Sequence, residues 1–280
     1  MKKCDKNGEI EILRLALAMI IVLYHARMYS CANGWLCTDV FFIISGALLA
    51  LSVKKYDNTD VADSTWKYMK HRYVGFWKYF LGAFVLNAVA QTIYLKLSLR
   101  EVVRRLLLSI PELLFIDRGG LIFNDMFYVG ASWFLSIIII CDWVLVPLLL
   151  KYYKLMLSVI CPLMAISGIT YLFAVEGTIK FETAFLLAFV RGISEMCLGI
   201  FCYFLAEQTC EKITEAGKVF LSVVSVAIYI FFLIICFKQD VGVELEIVAL
   251  ILIGAAIVIS FGKNNLLFSI KTTKIVVGGI

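Results

Sequence analysis

The sequence predicts an all-α membrane protein, a polytopic transmembrane helix bundle of about eight spans with one further interfacial or re-entrant segment. Three observations carry that prediction. Of 280 residues, 62% are hydrophobic and 17% charged, against about 45–50% and about 25% in ordinary soluble domains. The mean hydropathy is +0.94, and apolar runs near the ~20 residues that cross a bilayer recur along the chain. These runs are filled with Leu, Ile, Phe and Met without period-two alternation, so they read as helices and not as barrel strands.

With a window of about 19 residues, the spans fall at 10–29, 36–53, 74–95, 132–150, 155–174, 181–205, 219–237 and 243–262. Between the third and fourth, Pro111 interrupts a shorter apolar stretch at 106–116, where RLLLSIPELLFI is too short to cross about 30 Å of hydrocarbon. Charge placement supports the same reading. Lys2, Lys3 and Lys6 precede the first span, and Lys54, Lys55, Lys67, Lys70 and Arg72 fill the second connection. Both clusters belong in the cytoplasm. If 106–116 does not cross, Lys151, Lys154, Lys212, Lys218, Lys263, Lys271 and Lys274 also fall inside, and the connection 96–131 lies outside. No repeat, linker or long polar stretch divides the chain, so one domain over 1–280 is expected. The opening MKKCDKNGEIEI carries acidic residues and no A-x-A pattern follows, so the first span is expected to persist in the mature protein.

The formal charge of +5 sits near span ends, an orientation signal and not a nucleic-acid footprint. Nine cysteines are scattered without a C-x-x-C pair, which points to buried thiols. Cys31 and Cys37 flank a short connection, where free thiols or a disulfide both fit. Two histidines, His25 and His71, and no H-E-x-x-H offer no metal cluster. Walker A and G-x-G-x-x-G fingerprints are absent as well.

Charged groups inside spans cost about 2.5–3.5 kcal/mol each on insertion scales, so they mark where chemistry can reside. Arg14 and His25 are eleven residues apart in the first span, on nearly one helix face and about 16 Å apart along the axis. Two readings fit. Arg14 snorkels to headgroups while His25 bonds a carbonyl, or the helix carries a working cation and imidazole. Asp39 opens the second span, where it either orients the imidazole and stabilises its protonated form or bonds a helix terminus. Ser45 and Gly46 read as a small-residue packing notch; no G-x-S-x-G elbow makes Ser45 a nucleophile.

The run EILRLALAMIIVLYH at 11–25, followed by WLCTDVFFIISGALL at 35–49, resembles the opening of the acyltransferase family 3 membrane proteins. In that family an Arg, ten residues and a His precede a glycine-rich turn into D-V-F-F-x-x-S-G. Arg14, His25, Asp39, Val40, Phe41, Phe42, Ser45 and Gly46 match it here. SWFLSIIIICDWVLVPLL at 132–149 resembles the family's W-F-L segment, and RGISEMCLGIFCYFL at 191–205 its Arg-to-Gly block. Two departures stand out. In KYMKHRYVGFWKYF, residues 67–80, Gly75 replaces a usual Arg and Lys78 a usual Pro, although Lys70, His71 and Arg72 keep the basic character. The chain also stops at Ile280, so by this resemblance it is expected to lack its last two helices and to transfer little alone.

The resemblance implies transfer of an acyl group, most often acetyl, from acyl-CoA (acetyl-CoA as donor substrate, with no metal) to a hydroxyl of a cell-envelope carbohydrate or glycolipid. It implies a bacterial-type plasma membrane location with a cytoplasmic N-terminus, and the lipid bilayer and envelope glycan as partners. Arg14 with Lys70 and Arg72 suits CoA phosphates. His25 suits the role of base or acyl carrier, with Asp39 supporting its imidazolium. In the 181–205 span, Glu195 follows Arg191 by four residues, a pair that reads as structural. Two other classes compete: a transporter or flippase of a glycan or lipid-linked substrate, which would show inverted repeats or paired broken helices, and an inactive membrane scaffold.

Overall fold

The computed structural model describes residues 7–26, 31–117, 128–130, 132–177, 185–209, 213–238 and 241–262, and all regular structure among them is helical. The helices are α1 (Gly8–His25), α2 (Leu36–Val53), α3 (Val61–Tyr94), α4 (Leu99–Leu108), α5 (Ile110–Leu113), α6 (Ser132–Leu155), α7 (Cys161–Glu176), α8 (Phe185–Gln208), α9 (Glu215–Phe237) and α10 (Val243–Phe261). Among the described residues, six helical runs are long and apolar enough to cross a membrane. One of them, Ser132–Val175, is 44 residues long, about 66 Å at 1.5 Å per residue. It therefore holds two of the expected spans, divided at Tyr152, whose φ of −127° and ψ of 41° break the helix. A π-helical turn, Met156–Ile160, follows just ahead of Pro162, whose missing N–H removes an ordinary helical bond. α1 is the other expected span beyond the six; it has 18 residues and carries Glu9, Glu11 and Arg14. Residues 263–280, on which the expected loss of two helices rests, lie outside the described residues.

The chain divides into two compact units. The first comprises Met1–Ser52, Tyr152–Lys180 and Ile193–Gly278. Its α2 is buried on several sides, with Val40, Phe42, Ile43, Ala47 and Ala50 fully enclosed. Packing against α8 is backbone to backbone. A Cβ on Gly46 would stand 1.9 Å from the Met196 carbonyl oxygen, and one on Gly199 would stand 1.9 Å from that of Ile43. The expected notch at Gly46 thus has a partner, the last glycine of the Arg-to-Gly block, and only residues without a side chain permit this approach. Gly46→Ala and Gly199→Ala are each expected to destabilise the protein by about 1–3 kcal/mol. Gly82→Ala is the control: nothing lies within 4 Å of its added Cβ, and the gain in helix propensity is about 1 kcal/mol at most. Unfolding midpoints of the three variants in detergent check this; equal midpoints would contradict the close contact.

Polar ties close the first unit at both ends. Asn7 caps α1, its side chain accepting from the Ile10 N–H at 3.4 Å, and its Nδ2 donates to Ser260 Oγ at 2.7 Å. The Tyr229 hydroxyl donates to buried Glu9 at 2.9 Å, which satisfies a carboxylate inside an apolar unit. At the other end, the Asn33 side chain donates to the Lys238 carbonyl at 2.5 Å, and its backbone N–H donates to that of Cys236 at 3.2 Å. Cys31 and Cys37 are free thiols; Cys37 Sγ lies 3.9 Å from Cys236 Sγ.

The second unit comprises Val53–Lys151 and Phe181–Gly192, with Gly279–Ile280. α3 begins 13 residues before its apolar run, because charge does not end a helix. Asp60 caps it, accepting from the Asp63 N–H at 3.0 Å, and Asp63 pairs with Lys67 at 2.5 Å. The stretch 106–116 doubles back along this helix. Arg105 Nη1 donates to Gln91 Oε1 at 3.4 Å, Trp77 Nε1 donates to the Leu113 carbonyl at 2.9 Å, and the Tyr73 hydroxyl donates to that of Leu114. From Gln91 to Tyr73 is about 27 Å of helix, so the segment packs along most of the apolar run of α3. Phe115 anchors it, fully buried with ring centroids 5.2 Å from Tyr73, 6.4 Å from Phe76 and 4.9 Å from Phe80. Its φ of +51° costs about 1–2 kcal/mol, which burial of the ring offsets. Glu112 accepts from the N–H groups of Tyr128 at 3.0 Å and Val129 at 2.6 Å. Burial pushes its carboxyl above the ordinary range, against the pull of those two donors. Asp117 accepts from the hydroxyls of Ser132, at 2.9 Å, and Ser136.

Candidate active site

α1 presents the first two candidate residues. Glu9 and Glu11 in its first turn complement the helix dipole, and Arg14, one turn on, pairs with Glu11 at 3.4 Å with 15% of its side chain exposed. His25 is the last residue of the helix and is exposed. The Tyr24 ring meets its imidazole edge to face, 5.3 Å between centroids. The residues just before α2, 31–35, pack onto this turn. A Cβ on Gly34 would lie 2.6 Å from that of Tyr24, and the Cys31 thiol donates to the Ile20 carbonyl at 3.7 Å. A glycine before the second block therefore lets the connection pack on the residue next to His25. Burial pushes the Cys31 thiol up, so it is a packing group and not a reactive thiolate.

Asp39 stands in the first turn of α2 and is completely buried. A carboxylate there is stabilised by the positive helix end, which fits the helix-terminus reading. The turn through Gly34 also brings the start of α2 to the end of α1 that carries His25, which fits the orienting reading.

Lys70 and Arg72 belong to α3, in the second unit. Lys70 and its neighbour His71 are exposed. Arg72 turns inward: its Nε lies 3.2 Å from Asp142 Oδ2, with 16% of the Arg72 side chain and none of Asp142 exposed. Its guanidinium also lies over the Phe76 ring, 4.8 Å from the centroid. Asp142 comes from the W-F-L block and was not singled out above. The signal was available, since a lone carboxylate in a run of Ile, Trp, Val and Leu is too costly to stand without a counter-ion. Arg191 and Glu195 are both fully buried on α8, with the Arg191 guanidinium 5.8 Å from the Trp133 ring centroid. Neither reaches solvent, in keeping with a structural role.

Among the described residues the structure is helical, and several helices are long and apolar enough to cross a membrane, which makes the chain an integral membrane protein. The profile of acyltransferase family 3, described as an acyltransferase domain, matches residues 7–277. The chain belongs to this family and is a membrane acyltransferase. No curated protein and no solved structure matches it at a significant level.

Proposed function

We propose that the protein transfers an acyl group, acetyl in the first instance, from acyl-CoA to a hydroxyl of a cell-envelope carbohydrate or glycolipid, in a bacterial-type plasma membrane with its N-terminus in the cytoplasm. One observation carries this reading: Arg14 and His25 stand on a single helix about 16 Å apart, the first half-buried and the second exposed at the helix end. A donor with phosphates and thioester at opposite ends of a long flexible arm suits two groups separated in that way. Arg14 offers a planar fork to phosphate oxygens; Lys70 and Arg72 of α3 are the other cations proposed for CoA phosphates. His25 takes the proton of the acceptor hydroxyl as its oxygen attacks the thioester carbonyl. The carbon–sulfur bond then breaks, and the imidazolium returns the proton to the departing thiolate. Asp39 steadies the imidazolium charge.

Arg14→Lys keeps the charge and loses the fork. CoA affinity is expected to fall about tenfold at equal membrane level, since a charge-assisted bidentate contact is worth more than a point charge. Equilibrium binding of labelled CoA to the reconstituted protein checks this. Unchanged affinity would reduce Arg14 to a membrane anchor.

A further inference from the structure

α4 reads LREVVRRLLL and is capped at its start by Ser98, whose hydroxyl accepts from the Glu101 N–H at 3.4 Å. At about 100° per residue, Leu99, Val102, Val103, Leu106 and Leu107 fall within an arc of about 140°, while Arg100, Glu101, Arg104 and Arg105 fill the opposite arc. Leu108, the last residue, is the exception to the stripe.

The polar arc fixes how the helix is held. Glu101 pairs with Arg104 at 3.6 Å and with Arg105 at 3.5 Å, and Arg105 reaches Gln91 of α3. The apolar stripe has no such cover. None of the α4 residues is buried, and Leu99 is 80%, Val103 49% and Leu107 62% exposed. What adjoins the stripe says what covers it. α4 starts five residues after Tyr94, the end of a membrane-length helix whose apolar window is only 17% buried, and Leu86, Val89, Ile93 and Tyr94 of that helix are exposed. A tyrosine at a span end marks the headgroup level. Arg100 and Arg104 flank the stripe there and are exposed.

We propose that α4 is a phospholipid-binding element. Its Leu and Val stripe lies among acyl chains, continuous with the lipid-facing surface of α3, and Arg100 and Arg104 hold headgroup phosphates with a preference for anionic phospholipid. The stripe supplies insertion, and the two arginines supply selectivity at about fivefold each near an anionic surface.

The test places a photo-crosslinking benzoylphenylalanine at Leu107 of the full chain, reconstituted in nanodiscs of mixed zwitterionic and anionic phospholipid. Adducts are identified by intact mass. The expected product is a phospholipid adduct whose anionic-to-zwitterionic ratio exceeds that of the disc at least fivefold. That enrichment is expected to vanish in Arg100→Gln/Arg104→Gln and to persist in Arg100→Lys/Arg104→Lys, so charge loss is distinguished from misfolding. An adduct to a second copy of the chain, an adduct to another part of the same chain, or an unenriched lipid adduct would each overturn the proposal.

Discussion

His25→Ala is expected to lower the rate of acyl transfer by at least about a hundredfold, the small end of what a positioned general base contributes, while expression, membrane insertion and unfolding midpoint stay unchanged. The separation of the two effects follows from where the residue sits. His25 closes α1 and is exposed, so its removal leaves no cavity and deletes one edge contact with Tyr24. Were its place in the sequence a matter of packing, the loss would fall on stability instead. Initial rates with labelled acetyl-CoA at matched membrane levels decide between them, and near-normal turnover would remove His25 as base or acyl carrier.

The second large effect belongs to Arg72 and Asp142. Breaking a buried ion pair from one side costs about 3–5 kcal/mol, because the remaining charge is left uncompensated. Asp142→Ala is therefore expected to lower the unfolding midpoint sharply, and more than Lys70→Ala, whose side chain is exposed. Replacing both partners, as Arg72→Met/Asp142→Leu, is expected to recover most of that loss. The double variant also separates the two roles of Arg72. If the guanidinium serves the donor, CoA affinity remains weak after stability has returned; if affinity returns as well, Arg72 is a structural ion-pair partner and Lys70 is left as the α3 cation for phosphate.

Much of this was legible in the sequence, for physical reasons that differ between elements. The second span was expected at 36–53 and α2 is Leu36–Val53, because both ends of its apolar run coincide with a change of polarity. α3 was expected from residue 74 and starts at Val61; hydropathy reports lipid exposure, whereas the helix propagates through the polar stretch on its caps and i,i+4 pairs. Arg14, His25 and Asp39 were singled out as candidates by the cost of charge in apolar runs and by family spacing. Asp142 obeys the same cost rule, but its counter-ion is 70 positions away, and sequence spacing cannot supply a tertiary partner. The glycine at 46 announced a close contact; that Gly199 answers it depends on the packing of α2 against α8.

Acyl transfer from a CoA thioester to an envelope hydroxyl is tested by following labelled acetyl into its acceptor. Membranes carrying the protein are incubated with acetyl-CoA labelled in the acetyl group, beside matched membranes without it. Label is expected in envelope carbohydrate or glycolipid as a base-labile ester, with one CoA thiol released per ester formed. Thiol release and labelling no greater than in the matched membranes would contradict it.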